Sequence, residues 1–198
     1  MRLRPKETDP RVVRTRKLLL DAFLSLMAEK DFNVISVRDI TSRASVNRAT
    51  FYAHFSDKYE LLESFLVHSF ETFMVDSLPD QDDLTEQHLV QLILIMCEYH
   101  RNMSSHYKRS YNTVIPLMES TIHKQLEGIF IKCTHQNVQT EAEKRKLEWT
   151  ATMISWSIYG VAARWNNEGR KVEAEKFAQE VAPFILYGLP YSLQHLKP

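Results

Sequence analysis

Apolar residues along this chain recur mostly three and four positions apart, the spacing of one face of an α-helix, and no Asn-Gly or Asp-Gly hairpin signal interrupts them. The pattern predicts an all-α protein. Asp9 before Pro10 reads as a cap followed by proline at the first helical position, and Leu20, Phe23, Leu24 and Met27 repeat at helical spacing, so a first helix is expected over about 10–29. Ser36 and Asp39 read as a capping box opening a short helix, about 37–44, with an apolar edge of Val37, Ile40 and Ala44. After Ser45 and Val46, Asn47 reads as the cap of a third helix carrying Phe51 and Phe55. Two short helices so tightly joined make a helix-turn-helix shape. Asp57 with Glu60 caps a fourth helix that runs on to about residue 75, and SLPDQDD after it is the one clear linker.

Further helices are expected over about 84–103, 112–134, 140–167 and 172–187. The third of these opens on a capping box, Thr140 with Glu143, and carries two apolar rows. One is Leu147, Ala151, Ile154, Ile158, Val161 and Trp165; the other, well around the helix, is Trp149, Met153, Trp156, Gly160 and Ala163. A helix apolar on two sides needs two partners. Either both rows are buried inside a monomer, or one packs on its own chain and the other, with Phe177, Val181, Phe184 and Ile185 of the last helix, builds a two-fold dimer as a four-helix bundle.

With 198 residues and 44% hydrophobic content the chain can bury a real core. Its longest apolar run, LILIMC at 92–97, is far below the roughly 18 residues a membrane span needs, and MRLRPKETDP has no apolar signal core, so a cytoplasmic protein without a membrane partner is expected. Cys97 and Cys133 are isolated in apolar helical patterns and read as buried thiols. The net charge of zero hides a segregation: residues 1–60 hold 12 basic and 8 acidic side chains, and residues 61–198 hold 13 and 17. A basic N-terminal end suits a polyanion met by that end, or serves as a solubilising tail.

Catalysis finds no support, because there is no glycine-rich phosphate loop, no G-x-S-x-G and no H-E-x-x-H. Cys97, His100 and His106 could meet at one helix end, but no metal and no cofactor are expected. The chemistry is concentrated in VNRATFYAHFSDKYELL, residues 46–62. At the start of its helix Arg48 can fork onto guanine O6 and N7, Asn47 suits adenine, and Ala49 lies beside them. Thr50, Tyr52 and His54 suit phosphate oxygens, and Lys58 opens the next helix, where its ammonium and the unbonded N–H groups could share a phosphate.

Thr50-Phe51-Tyr52-Ala53-His54-Phe55 followed by Lys58 and Leu61 resembles the T-[LF]-Y-x-H-F, K-x-x-L signature of the tetracycline-repressor (TetR) family of bacterial transcription regulators, and the resemblance covers about residues 10–62. It implies a three-helix DNA-binding domain over 1–56 and a helical effector-binding and dimerisation domain over 57–198. It further implies a ligand-responsive regulator, most simply a repressor that binds a palindromic operator on double-stranded DNA as a homodimer and is released by a small apolar effector. A TetR-like coactivator acting through a protein partner is the alternative. By position, Arg38, Asn47, Arg48 and Ala49 correspond to the family's base-reading residues, and Thr50, Tyr52, His54 and Lys58 to its phosphate contacts. Where the family usually has glycine in the turn, this chain has Ser45. An effector pocket would draw on Phe70, Phe73, Met74, Met96, Tyr99, His100, Met103, Tyr107, Met118, Ile122, Met153 and Trp156, whose methionines and aromatics permit a pliable apolar cavity.

Overall fold

The first helix starts where its residues require. The Asp9 carboxylate accepts from the Arg11 N–H at 2.8 Å, and Pro10 forgoes an N–H that the first turn leaves unbonded in any case. The computed structural model describes residues 9–75, 85–134 and 140–195, without the side chains at 75, 133, 134 and 189–195. The linker SLPDQDD, the basic residues before Asp9 and the Cys133 side chain lie outside the described residues. Among these are eight α-helices, one 3-10 turn and no strand. In order they are α1 (Pro10–Glu29), the 3-10 turn (Phe32–Val34), α2 (Val37–Arg43), α3 (Arg48–His54), α4 (Lys58–Val75), α5 (Glu86–His106), α6 (Tyr111–Thr134), α7 (Glu141–Asn167) and α8 (Ala174–His195). α8 is kinked at Gly188, whose φ of 71° is left-handed, close to where the sequence pattern placed its end.

The chain divides into two compact units, residues 1–68 with 103–118 and residues 69–102 with 119–198. The first unit therefore includes the start of α4 and the α5–α6 turn, which a boundary after residue 56 would have given to the second domain. Its core is Leu19, Phe23, Leu26 and Met27 of α1 against Ile40, Phe51, Phe55, Leu61, Leu62 and Leu66, all nearly or fully buried. Each such side chain stabilises by about 1.5–3 kcal/mol relative to exposure. The inward stripe of α1 is centred differently from the expected one: Phe23 and Met27 are buried, but Leu19 and Leu26 go in with them while Leu20 and Leu24 are half-exposed flanks. Phe32 of the 3-10 turn joins this core, edge-on to Phe23 and to Tyr59.

In the second unit Phe70 and Met74 of α4, Leu92, Met96 and Tyr99 of α5, Ile122 and Leu126 of α6 and Ala151 and Ile158 of α7 are buried. α7 lies against α8 through small residues, Ala178 and Ala182 being fully buried, and Trp165 stacks on Phe177 while its Nε1 donates to the Val172 carbonyl at 2.8 Å. The two rows of α7 part ways. Ala151, Ile158 and Trp165 of the first row are buried, whereas Trp149 (64% exposed), Met153 (62%) and Trp156 (45%) of the second face outward with Gly160. No helix among the described residues is long and apolar enough to cross a membrane.

Candidate nucleic-acid interface

The helix-turn-helix is fixed by its own polar residues before anything docks on it. Ser36 and Asp39 form the reciprocal capping box at the start of α2. Ser45 then turns the chain with φ 55°, a left-handed conformation that costs a serine about 1 kcal/mol. The turn is held by Val46 N–H donating to the Thr41 carbonyl at 3.0 Å. Asn47 caps α3, its Oδ1 accepting from Thr50 N–H at 2.7 Å and from Thr50 Oγ1 at 2.9 Å. Behind α3, Phe51 and Phe55 are buried, with Arg16 of α1 over the Phe55 ring, so the helix cannot roll without opening the core.

This leaves a definite set of side chains facing outward. Arg38, Arg48 and Ala49 are exposed, and neither arginine side chain makes a hydrogen bond or ion pair among the described residues. Tyr52 is 53% exposed one turn along from Arg48, with its ring edge-on to Phe51. Thr50 is half-buried. Arg11, Arg14 and Lys17 of α1 are exposed as well.

Three expected contacts are placed otherwise. Asn47 has Oδ1 committed to the cap, so the two-point fork onto adenine, which needs Oδ1 and Nδ2 together, is not open to it without breaking the helix start. His54 is buried, and burial, with the Arg16 charge adding, holds its pKa below the ordinary histidine value, so it offers no cation to a phosphate. Lys58 spends its ammonium on three carbonyls, Phe32 at 2.9 Å, Asn33 at 3.0 Å and Ile35 at 2.9 Å, above the Phe32 ring. A lysine has three N–H donors, and all three are used. Burial lowers the Lys58 pKa, and the Asp31 carboxylate opposes that shift.

Other residues were not legible from the chain. Arg16 of α1 donates to the His54 carbonyl at 3.4 Å and to Ser64 Oγ at 3.2 Å, with its guanidinium over the Phe55 ring, so one side chain ties α1 to the end of α3 and to α4. Arg43 forks onto Glu29 at 2.8 Å on both oxygens, holding α2 to α1. Each partner lies 14 to 48 residues away in the chain, beyond any local pattern. The cap of the 3-10 turn was readable, since Asp31 two residues before Asn33 is an Asx-turn spacing.

The expected effector residues do not form one group. Phe70, Phe73, Tyr99 and His100 make a chain of edge-to-face rings ending on Tyr159. Met74, Met96 and Ile122 are buried in the same unit, but Met103, Tyr107 and Met118 belong to the other unit. Met153 and Trp156 are on the outward row of α7, which corrects their assignment to an internal pocket.

A well-capped helix-turn-helix with an unpaired arginine, Arg48, at the exposed start of its second helix and another, Arg38, on its first has the form of a DNA-reading head. Residues 19–65 match the family described as bacterial regulatory proteins, tetR family. An uncharacterised helix-turn-helix transcriptional regulator of Bacillus subtilis, YxbF, is 31% identical over 93% of this chain and 48% of its own length, so the chain spans about half of that relative. Among solved structures, a TetR transcriptional regulator from Streptococcus agalactiae superposes with a TM-score of 0.55 at 20% identity, covering 88% of this chain and 95% of that one. The fatty acid degradation regulator FadR from Bacillus halodurans does so with 0.55 at 18% identity, covering 93% and 98%. Over residues 19–65 the chain thus carries a helix-turn-helix of the tetR family, on a helical fold like that of these regulators.

Proposed function

We propose that this protein is a sequence-specific, ligand-responsive DNA-binding regulator, reading bases with Arg38, Arg48 and Ala49 and meeting the backbone with Thr50 and Tyr52. The observation that carries the reading is that Arg38 and Arg48, on the two helices of the motif, are exposed without internal partners, whereas Arg16, Arg43 and Lys58 of the same head are engaged within it. Exposed arginine at the start of a recognition helix is the group that forks onto guanine, and an internal role would have left it paired. The same observation favours direct DNA binding over a coactivator that works only through a protein partner. Two copies, joined through the outward row of α7 and the exposed Phe184 of α8, would present two such heads to a palindromic operator.

Control would come from a small apolar effector in the second unit, whose ring chain Phe70, Phe73, Tyr99 and His100 supplies the apolar, adaptable surroundings such a ligand requires. Release from the operator on effector binding would make the protein a repressor. Selection from randomised duplex DNA, followed by a salt titration of the winning site, tests the reading. A dyad-symmetric site with affinity falling steeply in salt is expected; uniform weak retention of all sequences refutes it.

A further inference from the structure

The three carbonyls that occupy Lys58 belong to a segment gripped from a second side as well. α1 ends without a glycine, its cap Lys30 being extended, so the carbonyls of its last turn lack the partners a left-handed cap would supply. The turn between α5 and α6, some 80 residues along the chain, supplies them: Ser110 Oγ donates to the Lys30 carbonyl at 3.0 Å and lies 3.4 Å from that of Met27, and Arg109 donates to the Glu29 carbonyl. Three residues after Ser110, Thr113 Oγ1 donates to Asp31 Oδ2 at 2.7 Å while Asp31 Oδ1 accepts from Asn33 N–H at 2.8 Å. Asp31 thereby caps the 3-10 turn and is itself held in place. Lys58 then closes on Phe32, Asn33 and Ile35, and the residue after Ile35 is Ser36, the cap of α2.

We propose that residues 27–35 are a junction clamped by Lys58 from α4, by Ser110 from the α5–α6 turn and by Thr113 from the first turn of α6, and that these three are positioning residues that set where the helix-turn-helix begins and contact no DNA. Every group involved lies in the first unit. The functional half of this inference rests on the DNA-binding reading above; the structural half does not.

Lysine and arginine separate the two roles available to residue 58. A guanidinium is a good phosphate ligand, but its planar fork cannot aim three N–H groups at a compact tripod of carbonyls. The full chain is compared with Lys58→Arg, Lys58→Met, Thr113→Val and the Lys58→Met/Thr113→Val double variant, using the duplex selected by the wild type, at several salt concentrations. Amide exchange at Val34 and Ile35, whose N–H groups bond within the 3-10 turn, is followed without DNA. Lys58→Arg and Lys58→Met should each weaken binding about five-fold or more with an unchanged salt slope, since losing a phosphate contact would flatten it by about 0.9. Thr113→Val should weaken binding in the same way, all variants should exchange faster at Val34 and Ile35, and the double variant should lose less than the product of the singles. Thr113→Val, nearly isosteric and half-buried, keeps the test decisive if Lys58→Met does not fold. Wild-type affinity in Lys58→Arg with a flattened slope in Lys58→Met makes Lys58 a phosphate ligand and overturns the proposal. Unchanged exchange in Thr113→Val overturns it too. A wild type that selects no DNA ends the DNA-binding reading alone, and the exchange rates then decide the clamp by themselves.

Discussion

Arg48 and Lys58 are both basic and ten residues apart, and their surroundings give them opposite tasks. The signature that brings Lys58 to notice, a lysine three residues before a leucine at a helix start, was plain in the sequence; that its ammonium turns inward was not, because the carbonyls it meets lie 23 to 26 residues earlier. Arg48 was legible because exposure at the first turn after an asparagine cap follows from local pattern alone. Replacing Arg48 with alanine should cost about 1–3 kcal/mol at one base position and relax specificity there, read as a flattened column in a randomised-DNA selection. An unchanged preference would remove Arg48 from the reading set. His100, buried in the second unit, makes a different prediction. Burial pushes its pKa down to about 4 from an ordinary value near 6.5, so below pH 6.5 the unfolded chain binds the proton that the folded chain refuses. The stability this group contributes is complete above pH 6.5 and is lost between there and about 4, by about 3 kcal/mol in all. Urea unfolding at pH 7 and pH 4.5 should show that loss, and His100→Gln should remove it. Equal pH dependence in the two proteins would mean that another group titrates.

The elements follow the caps. Asp9, Ser36, Asn47 and Thr140 each sit where side-chain oxygens meet the N–H groups of a first turn, and each opens the helix expected from it. What the pattern could not settle was rotation about a helix axis. The two rows of α7 look equally apolar in sequence, and only packing against Ala178, Ala182 and the rest of the second unit decides that Ala151, Ile158 and Trp165 go inward. The stripe of α1 shifted by about one residue for the same reason, since three and four spacing fixes periodicity and leaves phase to the neighbours. Ser45 is the element-scale test of the turn. Its φ of 55° is comfortable only for glycine, and nothing in the turn requires the serine side chain, so Ser45→Gly should relieve strain worth about 1 kcal/mol, offset in part by the greater freedom glycine has in the unfolded chain. Thermal melting should show unchanged or slightly raised stability with unaltered DNA preference. Ser45→Val, β-branched at the same φ, should lose stability clearly.

At the scale of the whole molecule the outward row of α7 is the feature still without an account. Trp149, Met153 and Trp156 leave large apolar surfaces to water on one helix face, and Gly160 continues that face with no side chain, its Cβ position meeting nothing within 4 Å. Large apolar side chains exposed together on one face in this way mark an interaction site. Trp156 is also held in place from within, its ring 4.2 Å from that of the buried His123, whose Nε2 lies 3.0 Å from Ser155 Oγ, so the face is ordered before any partner arrives. A second copy is the partner that fits a DNA-reading head on each chain, because a two-fold interface pairs the row with itself and brings two recognition helices to one operator. The prediction is that Met153→Glu, which sets two carboxylates against each other across the dyad and leaves the inward row untouched, converts a dimer to a monomer in sedimentation at micromolar concentration. The monomer should keep its helical content and its melting transition within the second unit. Its affinity for a full palindrome should fall to that for a half-site, because the second head is no longer delivered with the first. If Met153→Glu remains a dimer, or if the wild type sediments as a monomer while binding one half-site with full affinity, the row serves some other surface and the palindromic operator has to be given up.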